Sequence, residues 1–204
     1  MPGYADLSRE QEAYVLKVLF LVCLVISASC FGNTVWTHSK ALLAQLLIER
    51  AWGETLSNGR QSRPWPWADF WPVARIRFSI HDHDLYVLSR ASGEALAFGP
   101  GHITGSALPA TKGTSIIAGH RDTHFNFLKD IKVCDRVSVH SVAGTHKTYA
   151  VSGKRVVDSR TSSLLVGSHT GLTLVTCFPF DAVLPGGPLR LVVRLEEISE
   201  TGTG

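Results

Sequence analysis

The stretch Leu172-Thr-Leu-Val-Thr-Cys177, followed at once by Phe178-Pro179, joins a strand pattern to a reactive side chain. Val and Thr are β-branched and favour extended backbone. Proline donates no hydrogen bond to a sheet, so we expect the strand to end here. Cys177 is therefore predicted to lie at the rim of a sheet. A cysteine in an arbitrary strand is most often an inert buried thiol, so the surrounding chain decides its role.

Similar short runs of strand-forming residues recur on both sides of this stretch, separated by Gly, Pro, Asp and Ser. Eight such runs in about 125 residues favour an all-β fold, a closed barrel or a sandwich. Short helices fit near residues 125–128 and 161–165. The predicted strands span Val73–Ile80, Leu85–Ser89, Ala95–Phe98, Ser115–Ala118, Arg136–Ser141, Thr148–Val157, Leu172–Thr176 and Leu189–Leu195.

An uncharged, largely apolar run, Val18–Thr37, precedes the predicted strands. Twenty residues of helix span roughly 30 Å, the thickness of a bilayer core, so we predict a single transmembrane helix. A cleaved signal peptide is the competing interpretation, because Ser27 and Ser29 are small residues at suitable offsets for cleavage before Cys30. A buried core helix is a third. Basic residues flank the run on both sides, so the positive-inside rule does not decide its orientation.

We expect four regions along the chain: a tail at 1–17, the span at 18–37, an amphipathic helix and linker at 38–64, and a folded domain at 65–204. A segment rich in Trp and Pro, Trp65–Pro72, cannot form a regular helix or a central strand. We interpret it as an extended segment whose aromatic rings pack on the domain. The helix is predicted to bury one face, formed by Leu42, Leu43, Leu46 and Leu47.

Composition excludes several classes of function. The net charge of +3 comes without a cluster of Lys and Arg, so we expect no nucleic-acid partner. The four cysteines form no CxxC pair, which argues against a cysteine zinc site. The run His81-Asp-His83-Asp84 offers two imidazoles but no third ligand placed by the sequence, and we interpret it as a surface loop. We expect no metal and no other cofactor.

Two more residues are suited to chemistry beside Cys177. His120 ends the strand-like run Ser115–His120, next to a polar cluster where the chain leaves the sheet. Arg190 begins the last predicted strand. A nucleophile, an acid/base and a cation at one end of a barrel would suit acyl transfer. Arg194 lies four residues further on and is the rival for the cation role.

These strings resemble the signature motifs of the sortase family. Thr173-Leu-Val-Thr-Cys177 is similar to the TLxTC signature, Ala118-Gly-His120 is similar to the motif of the catalytic histidine, and Arg190 follows at the expected distance. The resemblance covers roughly residues 65–196. Longer strings resemble the Gram-negative branch, class GN: Trp65-Pro-Trp-Ala-Asp69, Phe98-Gly-Pro-Gly-His102, Gly119-His-Arg-Asp-Thr-His-Phe125 and Cys177-Phe-Pro-Phe-Asp181. One departure is Cys134, which stands where the family pattern has glycine; we interpret it as an incidental thiol.

The resemblance implies a closed eight-stranded sortase barrel and assigns roles to its residues. Cys177 would be the nucleophile, His120 the acid/base partner and Arg190 the stabiliser of the oxyanion. Thr176 is expected to orient substrate or to add a donor. Asp122 is expected near the site, where it contacts substrate, orients the ring of His120 or pairs with Arg121.

The resemblance further implies a cysteine transpeptidase that acts on proteins with an LPXTG-like C-terminal signal. The amine that accepts the acyl group is not identified by the sequence. A single-pass protein of the inner membrane with its catalytic domain in the periplasm is expected. Two alternatives stay open: a hydrolase of the same fold, and a membrane-tethered binding module without catalysis. His102 and His124 are either groups supporting the site or satisfied structural residues.

Overall fold

A computed structural model describes residues 4–80, 82–161, 170–182 and 186–198. The chain falls into two compact units, one ending at Leu43 and the other beginning at Ala44. The first helix, α1, runs without a break from Tyr4 to Asn58 and contributes to both units. The helix therefore continues through the region where a linker was expected to begin.

The N-terminal unit consists of the apolar part of α1. Among the described residues, one helix is long and apolar enough to cross a membrane, and an 18-residue window of it has a mean hydropathy of 2.4. None of that window is buried within the protein, unlike the core helix of a soluble domain. The predicted span Val18–Thr37 lies within this helix.

The later turns of α1 pack against the domain, but through a different face from the one predicted. Leu42, Leu43 and Leu46 are exposed. The buried positions recur at three- and four-residue intervals and carry smaller side chains alternating with larger ones: Ala44, Ile48, Ala51, Trp52 and Thr55. The predicted leucine face is therefore wrong. Alanine lets the helix backbone approach its neighbour closely. Counting apolar side chains along the sequence does not reveal this advantage.

The tryptophan-rich segment after the helix packs on the domain as expected, except for Trp67, which is 78% exposed. Phe70 is fully buried, and its ring lies 5.4 Å from that of Trp65 and 5.9 Å from that of Phe98, measured between centroids. The contact of Trp65 with Phe98 is edge-on at 5.1 Å. These aromatic contacts fasten the segment to the domain.

In the described part of the chain, eight strands close into a barrel in the order β1-β2-β3-β4-β7-β8-β6-β5. Most neighbours are antiparallel, whereas β2 pairs with β3, and β4 with β7, in parallel. The expected closed eight-stranded barrel is therefore confirmed. The strands are β1 (Pro72–Phe78), β2 (His83–Leu88), β3 (Gly101–His102), β4 (Thr114–Ala118), β5 (Arg136–Ser141), β6 (His146–Asp158), β7 (Gly171–Cys177) and β8 (Leu189–Glu197).

One predicted strand is wrong. Ala95–Phe98 contributes to a helical turn, α2 (Gly93–Leu96), whose N-cap Ser92 accepts a hydrogen bond from the backbone N–H of Ala95 at 3.3 Å. A short apolar run does not distinguish strand from helix, and the Ser cap favours the helix. The missing strand is Gly101–His102, where a Cβ on Gly101 would lie 2.3 Å from the carbonyl oxygen of Arg90.

The predicted short helix near 125–128 is confirmed as a 3-10 helix, Asn126–Lys129. The one predicted at 161–165 lies largely outside the described residues.

Apolar clusters lie on both faces of the sheet. The interior cluster draws on nearly every strand and includes Leu172 and Leu174 of β7. A second cluster on the outer face contains Ile116, Val175 and Val192, from β4, β7 and β8. Because side chains alternate along a strand, every residue two positions from these three also points outward. This alternation determines which residues of β7 and β8 face the same side as Cys177.

Candidate catalytic site

Cys177 is the last residue of β7, and the register of the sheet sets its neighbours. Its Cα pairs with that of Arg190 on β8, and the N–H of Phe178 donates to the carbonyl of Leu189 at 3.0 Å. Cys177 lies two residues after Val175, so its thiol shares the outer face. Directly opposed residues in an antiparallel pair have Cβ atoms about 5 Å apart. The thiol is partly exposed, which leaves it accessible to a substrate.

His120 reaches the same rim from β4. The parallel register pairs Ala118 with Val175, and the N–H of Gly119 extends the ladder by donating to the carbonyl of Val175 at 3.1 Å. His120 follows immediately, level with Cys177, and is exposed. The register therefore brings His120, Cys177 and Arg190 to one edge of the barrel, although they are far apart in the chain.

The turn after His120 depends on Gly119. The N–H of Phe125 donates to the carbonyl of His120 at 3.0 Å and closes the turn. A Cβ on Gly119 would lie 2.7 Å from the ring of Phe125, closer than real Cβ atoms come. Glycine therefore allows the buried phenylalanine to pack directly beneath the backbone that carries His120.

Thr176 lies on the opposite face of β7 from Cys177. Its side chain is buried, and its hydroxyl donates to the carbonyl of Gly119 at 2.7 Å. This bond links the residue before Cys177 to the residue before His120. The expected donor thus acts on backbone, and a contact of Thr176 with substrate stays a prediction.

Arg190 is held by the turn that precedes β8. Its Nη1 donates to the carbonyls of Gly187 at 2.5 Å and of Leu189 at 2.8 Å. A guanidinium carries five N–H donors, and Nη1 contributes two of them. Its Nε and Nη2 carry the other three, which suit an oxyanion formed beside Cys177.

The charge of Arg190 acts on Asp158, a residue of the adjacent strand β6. Hydrogen bonds from Arg160 hold the pKa of Asp158 at about 2, and attraction to Arg190 is a smaller contribution in the same direction. The rival cation, Arg194, pairs with Thr173, four residues inward from Cys177. The register therefore favours Arg190 over Arg194.

Further polar residues surround His120. Burial lowers the pKa of His124, the carbonyl of Ala97 opposes that shift, and the nearby charge of His120 adds to it. The carboxylate of Asp122 is largely exposed and pairs with Arg121 at 3.1 Å. The expected pairing with an adjacent charge is found, while a role of Asp122 toward substrate stays a prediction.

His102 is a buried residue of β3 rather than part of this rim. Its Nε2 lies 3.0 Å from both the carbonyl oxygen of Ala107 and the hydroxyl of Ser106. That hydroxyl in turn accepts from the N–H of Ile116. The arrangement fastens the loop after β3 to β4, as expected of a satisfied structural histidine.

Arg121 was overlooked as a functional candidate in the sequence. Its side chain is only 9% exposed, and its guanidinium reaches across to the segment that follows Cys177. The available signal was its position directly after His120. Two of its three partners are backbone carbonyls, which leave no pattern in a sequence.

A cavity lies elsewhere, against β1, β5 and β6. It has a volume of about 530 Å³, and its charged lining is largely paired within the protein. Asp84 accepts bonds from both Arg75 and Arg77, and Lys147 pairs with Glu197. Of the histidines considered for metal binding, His83 packs its ring on Phe127, and His81 lies outside the described residues.

Comparison with known proteins agrees with the barrel and its rim. Residues 77–198 match the family model described as the sortase domain, which is more than half of the chain. The chain therefore belongs to the sortase family. Sortases are cysteine transpeptidases, so the membership supports sortase function. The three rim residues all lie within the matched range.

Solved sortase structures share the fold. Sortase A from Corynebacterium diphtheriae is 29% identical with a TM-score of 0.59, covering 74% of this chain and 72% of its own. Sortase C-1 from Actinomyces oris is 28% identical with a TM-score of 0.55, covering 63% and 73%. A pilus-related sortase C of Group B Streptococcus is 27% identical with a TM-score of 0.55, covering 63% and 68%. No curated protein matches the chain. The narrower resemblance to the Gram-negative branch stays a prediction.

Proposed function

We propose that this protein is a membrane-anchored sortase that cleaves an LPXTG-like signal through a thioacyl intermediate on Cys177 and transfers the acyl group to an amine. The observation that carries the proposal is the register of β4, β7 and β8. That register pairs Cys177 with Arg190 and brings His120 level with it, and Cys177 is the one cysteine that ends a barrel strand among the residues the structure describes.

The first half of the reaction forms the thioacyl enzyme. The thiolate of Cys177 attacks the scissile carbonyl carbon, a C–S bond forms, and the carbonyl oxygen becomes an oxyanion. Arg190 donates hydrogen bonds to that oxyanion. The C–N bond then breaks as His120 gives its proton to the departing amine. The negative charge thus moves from the sulfur to the oxygen, and it is neutralised when the departing amine takes the proton of His120.

The second half reverses these roles. An incoming amine attacks the thioester carbon and passes its proton to the now neutral His120. The C–S bond breaks, the thiolate is restored, and a new amide is released. Water in place of the amine would give hydrolysis. The two outcomes use the same residues and differ only in the acceptor, so the acceptor distinguishes transferase from hydrolase.

The outer-face cluster supports a substrate with apolar side chains. Ile116, Val175 and Val192 form it and are themselves buried, whereas Ile103 and Val157, which pack against it, are only partly buried. Val175 and Val192 each lie two residues from a rim residue on the same face, so the apolar cluster continues directly from Cys177 and Arg190. A bound Leu and Pro of the signal would contact its partly exposed members, Ile103 and Val157.

We also propose that α1 anchors the protein in the inner membrane, with the catalytic domain on the periplasmic side. The exposed, apolar part of the helix supports the anchor. The side of the membrane follows from the resemblance and the need to meet exported substrates.

Mass spectrometry of the full chain in detergent tests the proposal. The chain is incubated with an LPXTG-like peptide, with and without an added amine. We expect a covalent adduct on Cys177 and, with amine present, a transfer product. Cys177→Ala should abolish both. Cys134→Ala is the matched control, because Cys134 is exposed and remote from the rim in the register, and it should leave both unchanged. Activity in the Cys177→Ala variant would contradict the assignment.

A further inference from the structure

Arg121 is a buried charge that binds backbone carbonyls as well as an exposed carboxylate. Its Nη1 donates to the carbonyl of Pro179 at 2.5 Å and its Nη2 to that of Ala182 at 2.7 Å. Its Nε donates to the exposed carboxylate of Asp122 at 3.1 Å. All three nitrogens of the guanidinium are therefore engaged, two of them with the loop that follows Cys177.

The loop is shaped to receive this side chain. Pro179 and Ala182 lie three residues apart, and a weak turn bond of 3.5 Å from the N–H of Ala182 to the carbonyl of Pro179 brings them together. A planar guanidinium can bridge two such carbonyls at once, whereas an ammonium is a point donor. Burying a charge is unfavourable unless it is hydrogen-bonded, so this site strongly favours the bridged arrangement.

The bridge spans a gap in the sheet. The β4–β7 ladder ends with the bond from Gly119 to Val175, so His120 and Cys177 lie beyond the last backbone bond between their strands. Arg121 directly follows His120, and Pro179 comes two residues after Cys177. Together with Thr176 on the other side, the guanidinium fastens the two segments just past the point where the sheet ceases to do so.

We propose that Arg121 is a positioning residue that sets the separation of His120 and Cys177 by clamping the loop 178–182 to the turn after β4. The inference rests on the proposed function, since it gives a role within the same reaction. Arg121 is buried and touches no reacting atom, so it acts only through the residues it holds.

Kinetics of substituted full-length chains test the clamp. Arg121→Met keeps the length of the side chain but removes every donor, and Arg121→Lys keeps the charge without the fork. We expect kcat to fall about 100-fold for Arg121→Met, because displacement of reacting groups by about 1 Å has effects of this size. Arg121→Lys should lose about tenfold. KM should change by less than about threefold in both, because neither touches the apolar surface.

Arg75→Met is the matched control. Arg75 also makes a bidentate contact, to Asp84 on the far side of the barrel, and its loss should leave kcat within about twofold. A kcat within twofold of wild type for Arg121→Met would overturn the clamp. If that variant does not fold, Arg121→Lys decides in the same way.

Alkylation of Cys177 by iodoacetamide, followed by peptide mass spectrometry, separates positioning from general destabilisation. His120→Ala and Arg121→Met should each slow the reaction. The double variant should be no slower than His120→Ala alone, since Arg121 acts through His120. If the two substitutions slowed alkylation independently, so that their fold-changes in rate multiplied in the double variant, the clamp would be overturned. If the variants show this non-additive alkylation but the wild-type chain cleaves no peptide, the proposed function is refuted and the clamp stands.

Discussion

Replacing Thr176 by Val tests whether the bond beneath the site matters to the reaction. Valine has nearly the same shape, so the packing of this buried position is kept and only the donor to the carbonyl of Gly119 is lost. A buried group left without its partner costs about 1–3 kcal/mol. Taking the middle of that range, about 2 kcal/mol, the melting temperature should fall by about 4–8 °C for a domain of this size.

The same substitution should also slow catalysis. Gly119 immediately precedes His120, so a freed carbonyl at Gly119 allows the histidine to move relative to Cys177. We expect kcat to fall about tenfold with KM little changed, because a small loss of alignment affects the transition state more than binding. Near-ultraviolet circular dichroism of the full chain in detergent gives the melting temperature, and peptide cleavage gives the rate constants.

Thr176→Ser is the matched control for that experiment. Serine keeps the hydroxyl and loses one methyl group, which is worth about 0.8 kcal/mol when buried. It should therefore be slightly less stable and nearly as active as the wild type. A Thr176→Val chain with wild-type kcat would refute the reasoning that this hydrogen bond holds His120 in place.

Two further substitutions test the backbone around the site and the one departure from the family pattern. Gly119→Ala places a methyl group 2.7 Å from the ring of Phe125. Overpacking of this kind costs about 1–3 kcal/mol, so kcat and the melting temperature should both fall. A variant as stable and active as the wild type would show that the turn relaxes freely. Cys134 has a φ of +73°, a conformation that costs a non-glycine residue about 1–2 kcal/mol. Cys134→Gly should raise the free energy of unfolding by about 0.5–1 kcal/mol after the greater chain entropy of glycine is allowed for. Cys134→Ala keeps the backbone strain, so the free energy of unfolding measured by urea titration should not rise. An equal rise for Cys134→Gly and Cys134→Ala would count against strain as the cause.

The elements predicted correctly are those with a strong local signal. Seven of the eight expected strands form, at nearly the expected positions, because strand-forming runs between Gly and Pro have few alternatives. Ala95–Phe98 was wrong because four apolar residues fit a helical turn as well as a strand, and the cap from Ser92 favoured the turn. The buried face of α1 was wrong because it depends on which neighbour the helix meets.

The candidate site divides in the same way. His120, Cys177 and Arg190 were predicted because each combines a reactive side chain with a strand boundary, and the order of the motifs resembles one family. Their catalytic roles stay predictions. The preference for Arg190 over Arg194 rested on proximity in the chain, and the β7–β8 register now supports it. Arg121 was overlooked because its partners after Cys177 are carbonyls of residues that carry no distinguishing side chain.

The sequence by itself determined the strand end at Cys177-Phe-Pro, the apolar span and the choice of candidate reactive groups, since proline geometry, hydropathy and side-chain chemistry are properties of a residue and its immediate neighbours. Only the tertiary structure decided that Thr176 turns inward to hold Gly119, and that Arg121 clamps the loop after Cys177. Both contacts join residues 57 or more positions apart. Such contacts exist only after the parallel pairing of β4 with β7 brings distant segments to one rim.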